Sequence, residues 1–142
     1  MSVANAAAVD NAVIATLAGD AALRALVPDG VYRDLAPAGK RRFVIVQQQT
    51  HEDVEGFGAP LYEAFQYRIT ARILEVTGGD ADAVAARIHE LLHDAPLVPI
   101  AGYVLMSCLR IDRVRLTEVD AVDRDIRWQH AGGDYEVFVS PT

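Results

Sequence analysis

His89-Glu90-Leu91-Leu92-His93 is the one stretch of the chain whose residue types and spacing match a catalytic pattern. In H-E-x-x-H two histidines one helical turn apart hold zinc, and the glutamate between them activates a water molecule. The surrounding residues argue against that chemistry. Advancing at 100° per residue sets His89 and His93 roughly 120° or more from the centre of the stripe formed by Val84, Ile88 and Leu91, so both should face solvent. The longer zinc-protease pattern continues with glycine and histidine three and six residues further on, where this chain has Pro96 and Pro99. A glutamate third ligand would have to come from Glu118 or Glu136, both on expected strands. The segment therefore reads as a solvated helix face, and no metal ligand, catalytic residue or cofactor is assigned.

Other chemistry is thinner. There is no nucleophile elbow, no phosphate-binding loop and no dinucleotide fingerprint after a strand. His51 lies beside Glu52 and Asp53, a carboxylate and histidine neighbourhood, but within a segment expected to be flexible. Cys108 is the only cysteine, which excludes an intrachain disulfide, a C-x-x-C redox motif and cysteine-rich zinc sites. With a formal charge of −7, the chain lacks the clustered Lys and Arg that release counterions from nucleic acid. Lys40-Arg41-Arg42 is the only basic run, and it reads as a solvated loop flank.

The 142 residues are 51% hydrophobic and 23% charged, the composition of one globular domain spanning 1–142. Met1 to Ala8 lacks the basic flank and the apolar core of about 7–15 residues that an export signal needs. Nor does any run approach the roughly 18 apolar residues of a membrane span. Together with the lone cysteine this leaves a reducing compartment, with no membrane partner, as the expectation.

The elements follow from hydrophobic period. Val9, Val13, Ile14 and Leu17 form a helical stripe from about Ala4 to Ala18. Gly19 stops it, and Asp20 caps a second short turn carrying Leu23, Leu26 and Val27. Val31 to Leu35 is a short β-prone run, and Phe43 to Val46 is apolar on both faces and so central. Gln48 to Pro60, polar and holding Gly56, Gly58 and Pro60, reads as a long mobile loop. From Tyr62 to Val76 the residues alternate: Phe65, Tyr67, Ile69, Ala71 and Ile73 on a core face, Gln66, Arg68, Thr70 and Arg72 on a wet one. Helix B starts with Asp80 as N-cap and buries Ala81, Val84, Ile88, Leu91 and Leu92. Tyr103 to Leu116 is a strand with a bulge near Asp112-Arg113, and the parity switch at Gly132-Gly133 gives a bulged last strand, with a hairpin as the alternative. The fold class is α+β: an antiparallel sheet of four to five strands with two amphipathic helices on one face.

The whole pattern resembles the tail-terminator, or tail-completion, proteins of long-tailed bacteriophages and gene-transfer particles. The resemblance is carried by Leu17 to Val27, by Gly30-Val31-Tyr32-Arg33-Asp34-Leu35-Ala36-Pro37, and by the Phe43 to Gln47 strand with its acidic segment. The long alternating strand, the helix with Ile88, Leu91 and Leu92, and the Trp128 to Val139 segment follow in the family's order. The departure is at Arg41-Arg42, where a proline is expected before the strand. The resemblance implies a virion protein in the tail or neck, forming a ring of six subunits that caps the tail tube, ends its polymerisation and meets the head connector, or stopper, protein. It implies no reaction. DNA would pass the channel without specific binding, helped by the negative charge. Contact with the tube protein, the connector and neighbouring copies is placed on His51, Glu52, Asp53, Glu55 and Phe57. A protein-binding adaptor domain and a small zinc hydrolase are the alternative classes.

Overall fold

The computed structural model describes residues 5–142, with backbone alone at 59 and 60, so the predicted helix start at Ala4 lies outside the described residues. In chain order the elements are α1 (Ala6–Ala18), α2 (Ala21–Leu26), β1 (Val31–Arg33), β2 (Arg42–Gly56), β3 (Ala59–Leu74), α3 (Gly79–Leu92), β4 (Tyr103–Val119) and β5 (Arg127–Pro141). The five strands form one sheet in the order β1-β2-β3-β5-β4. It is an α+β fold, as the sequence pattern implies. The sheet is mixed rather than purely antiparallel, because β1 runs parallel to β2 while the other pairs are antiparallel. Among the described residues no helix is long and apolar enough to cross a membrane.

Alanine-rich α1 has high intrinsic helix propensity, and Asn5 caps it by accepting the Ala7 N–H at 3.0 Å. Gly19 closes α1 with its N–H on the Ala15 carbonyl, and Asp20 restarts the chain as α2 by accepting the Leu23 N–H at 2.8 Å. The first helical region is thus broken in two where Gly19-Asp20 predicts, making three helices among the described residues. Helix α1 lies over β1 and β2, and α3 over β3 and β5. Val9, Val13, Leu17, Leu23, Val84, Ile88 and Leu92 share one hydrophobic core with Phe65, Tyr67, Ile69, Ala71 and Ile73 of β3, which are all wholly buried.

Asp80 does not cap α3. Gly78 is the N-cap, Asp80 pairs with Arg42 at 3.0 Å, and the Ala81 N–H donates to Glu75 Oε1 at 3.2 Å. The carboxyl that serves the helix start therefore comes from the end of β3. Leu91 is half-buried against the core rather than fully inside it.

The largest correction concerns Gln48 to Pro60, which forms a hairpin and not a loop. Strands β2 and β3 pair continuously, with irregularities after Gln48 and Val54, out to Gly56 opposite Ala59. Phe57-Gly58 makes a two-residue turn in which Gly58 has φ +77°, a conformation that suits glycine. Gln47 to Asp53 are exposed on both parities, so neither face requires the apolar alternation by which strands are recognised.

In β4 the register shifts fall between Leu105 and Ser107 and between Arg110 and Asp112, the second within two residues of the expected bulge. Strand β5 is neither bulged nor folded back at Gly132-Gly133. It pairs with β3 without interruption from Trp128 to Val139. Trp128 points to the helix-free face, where it meets Phe43 edge-on at 5.8 Å, while Tyr135, Val137 and Val139 point to the core. The glycines are there for space. A Cβ on Gly132 would collide with the Ile69 carbonyl oxygen and stand 2.8 Å from Thr70 Cα.

Gly132→Ala should therefore destabilise the fold by at least about 1–3 kcal/mol, the usual cost of overpacking, because backbone atoms must move. Urea unfolding measures this, and an unchanged midpoint would contradict the close approach. A second expectation concerns acid. The Asp20 carboxyl is held at about 2, against its ordinary 3.8, first by its hydrogen bond from Arg87 and then by the Leu23 N–H. A carboxyl whose pKa is depressed on folding stabilises fully above its unfolded value and loses that contribution as pH falls through the folded one. The thermal midpoint of the wild type should thus fall more steeply than that of Arg87→Met between pH 3.8 and about 2. Parallel curves would contradict the link.

Candidate assembly surface

Of the two HELLH histidines, His93 is exposed as expected and His89 is not. His89 is half-buried between α3 and the β4–β5 flank, 6.5 Å from the Tyr135 ring and stacked on His93 at 4.5 Å. The solvent-facing expectation fails for His89 because residues of β4 and β5, among them Tyr135 and Arg110, stand beside that face of the helix. His93, which is exposed, accepts the Arg110 backbone N–H at Nδ1 at 3.0 Å, and Glu90 is engaged by Arg87 at 2.8 Å. A cleft of about 600 Å³ opens beside them, lined by His89, Glu90, Asp82, Arg110, Arg113 and Arg115. Burial, and then the positive charges of Arg110 and other neighbours, hold the His89 imidazole below its usual pKa. Three guanidinium groups oppose a dication here, and no group of three metal-binding side chains forms around this motif among the described residues.

The residues assigned to partner contact share the β2–β3 hairpin. Glu52, Asp53 and Glu55 are exposed along β2, and Phe57 stands at the tip with no cover at all. His51 is different from its neighbours. Its ring stacks on Phe65 at 4.0 Å, and its Nε2 lies 2.6 Å from Glu63 Oε1 and 3.6 Å from Asp53 Oδ1. Glu63 is 7% exposed and also accepts the Tyr103 hydroxyl at 3.1 Å. Burial, followed by the bond to Glu63, pushes the Tyr103 phenol well above its ordinary pKa. Sequence reasoning missed Glu63. The available signal was its parity: it shares a strand face with Phe65 and Tyr67, so an acid there needs a partner.

Both edges of the sheet are open. Among the described residues strand β1 pairs only with Val44, Ile45 and Val46, and the far half of β2 has no partner along its outer side. At the opposite edge β4 pairs with β5 alone among the described residues. Natural edge strands are usually short, charged or bulged to prevent pairing with another chain. Strand β4 has 17 residues and exposes Val104, Met106, Leu109, Ile111, Leu116 and Val119. It also carries Arg110, Arg113 and Arg115, whereas the free part of β2 carries Glu52, Asp53 and Glu55. One edge is acidic; the other is apolar and carries these three arginines against Asp112 and Glu118, with Arg115 paired to Asp82 of α3 at 3.2 Å.

Comparison with known proteins fits this architecture. The family model described as tail completion protein gp17 matches residues 11–140. No curated protein matches the chain. A solved chain from a structure titled "Virion of native gene transfer agent (GTA) particle" superposes with a TM-score of 0.72 at 23% identity, covering 98% of this chain and 99% of that one. That likeness is one of fold. With the family model spanning nearly its whole length, the chain belongs to the tail completion protein gp17 family.

Proposed function

We propose that this structural protein of the phage-type tail closes into a ring that caps the tail tube, stops its growth and joins it to the head connector. The observation that carries the reading is the pair of open, oppositely charged edges on one sheet. An interface between two different patches of identical subunits is heterologous, and it generates a ring when the rotation closes. The acidic half of β2 and the basic, apolar β4 are such patches. Their charges favour the correct pairing over edge to like edge. Six subunits, the number implied by the family resemblance, is the proposed stoichiometry. Phe57 at the hairpin tip lies beyond the paired edge, free for the tube or connector. Assembly in the host cytoplasm and a role without catalysis complete the proposal.

Two outcomes are expected. Loss of the protein should leave tails that fail to join heads, many of them abnormally long, because each added tube ring otherwise recreates the surface that accepts the next. Tails of normal length on full heads, seen by electron microscopy of the deletion lysate, would contradict the reading. In the purified protein, Glu52→Lys with Glu55→Lys should fold but stay monomeric by light scattering, since exposed substitutions usually change stability by only about 0.5 kcal/mol. The same holds for Arg113→Glu with Arg115→Glu. Mixing the two variants should restore rings, because each then meets an opposite charge on both sides. Rings from either variant alone would refute the edge pairing.

A further inference from the structure

We propose that His51, Asp53 and Glu63 form a binding site for a divalent transition-metal cation at the root of the β2–β3 hairpin. One ligand atom from each of the three lies within 4.8 Å of the others, a grouping that no sequence motif announces. Asp53 and Glu63 are direct partners across the β2–β3 ladder, so both carboxylates emerge on one face of the sheet. Like charges placed directly opposite repel, and Glu63 is nearly out of water, where an uncompensated carboxylate is costly. The histidine between them does not resolve this fully. Its Nε2 offers one proton, sits 2.6 Å from Glu63 and leaves Asp53 at 3.6 Å, beyond a hydrogen bond. A dication in place of that proton would neutralise both carboxylates at once.

The donors are held in position, as a metal site requires. Phe65 stacks on the imidazole, with the two ring planes 14° apart, and the Tyr103 hydroxyl fixes the shared oxygen of Glu63. Zinc takes nitrogen and oxygen ligands at about 2.0–2.2 Å, and donor atoms within 4.8 Å of one another are close enough to share one ion. A mixed set of one imidazole and two carboxylates suits zinc or a neighbouring first-row ion better than magnesium or calcium, which favour all-oxygen shells. Binding would release any proton on Nε2 to solvent, with its lone pair and one oxygen of each carboxylate as donors. Asp53 is on the solvent side, leaving room for water as a further ligand. The ion would staple β2 to β3 and, through Tyr103, to the start of β4. This inference stands independently of the ring reading, since it rests on one subunit alone.

The test is titration of the untagged, EDTA-treated protein with zinc by isothermal calorimetry, with thermal melts alongside. We expect one equivalent bound and a raised melting midpoint. Asp53→Asn, a change at an exposed side chain, should weaken affinity at least tenfold while melting like the metal-free wild type. His51→Gln should do the same, and the His89→Gln, His93→Gln double variant should bind like wild type. No binding by wild type, equal binding by Asp53→Asn, or loss of binding in the His89/His93 variant instead would each overturn the proposal.

Discussion

A buried carboxylate fixes the setting of the first helix. Asp10 is 3% exposed at the seam between α1 and the sheet, where it accepts the Tyr67 hydroxyl at 2.5 Å and pairs with Arg33 at 2.8 Å. Burial and then the Asp10 bond push the Tyr67 phenol far above its ordinary pKa, so it remains a donor. A charge this deep is tolerated only while its partners are in place. One partner comes from β3 and the other from β1, so α1 has a single rotational and axial position in which Asp10 is satisfied. That position turns Val9, Val13 and Leu17 into the core. The bidentate contact of Arg87 with Asp20, at 2.9 and 2.7 Å, then ties α2 to α3. The three helices are locked onto one face of the sheet by two carboxylates from the first twenty residues.

The helices leave the outer half of the β2–β3 hairpin and much of β4 exposed, and the protein's surface chemistry is found there. The hairpin runs past the cover of α1, and β4 extends along the far edge with apolar residues in water. A monomer gains nothing from such an edge and risks aggregation through it. Its opposite number on β2 has the complementary charge. The same arrangement sets His89 of the HELLH segment beside Arg110, Arg113 and Arg115, whose positive charges disfavour a metal cation there.

The elements governed by core contact were legible from sequence. The alternation in β3, the stripe of α3 and the Gly19-Asp20 break between α1 and α2 each follow from a period or a cap that local residues display. Three things were not. The hairpin carries no alternation because neither face is covered, and its pairing is enforced by the ladder rather than by side-chain pattern. The glycines of β5 hide their parity, having no side chain to declare a face, so a straight strand looked bulged. The cluster of His51 with Asp53 and Glu63 joins residues brought together by strand register, and Tyr103 reaches it from 40 residues beyond Glu63. No local spacing encodes such a meeting.

The central claim is that neighbouring copies join through opposite edges of the sheet into a ring at the end of the tail tube. Electron cryomicroscopy of the neck of the assembled particle tests it most directly. The account predicts a closed ring of this chain on the last tube ring, with residues 48–56 of each subunit alongside 104–119 of the next. A ring whose subunits leave both edges facing solvent, or a neck in which this chain occupies no ring, would contradict it.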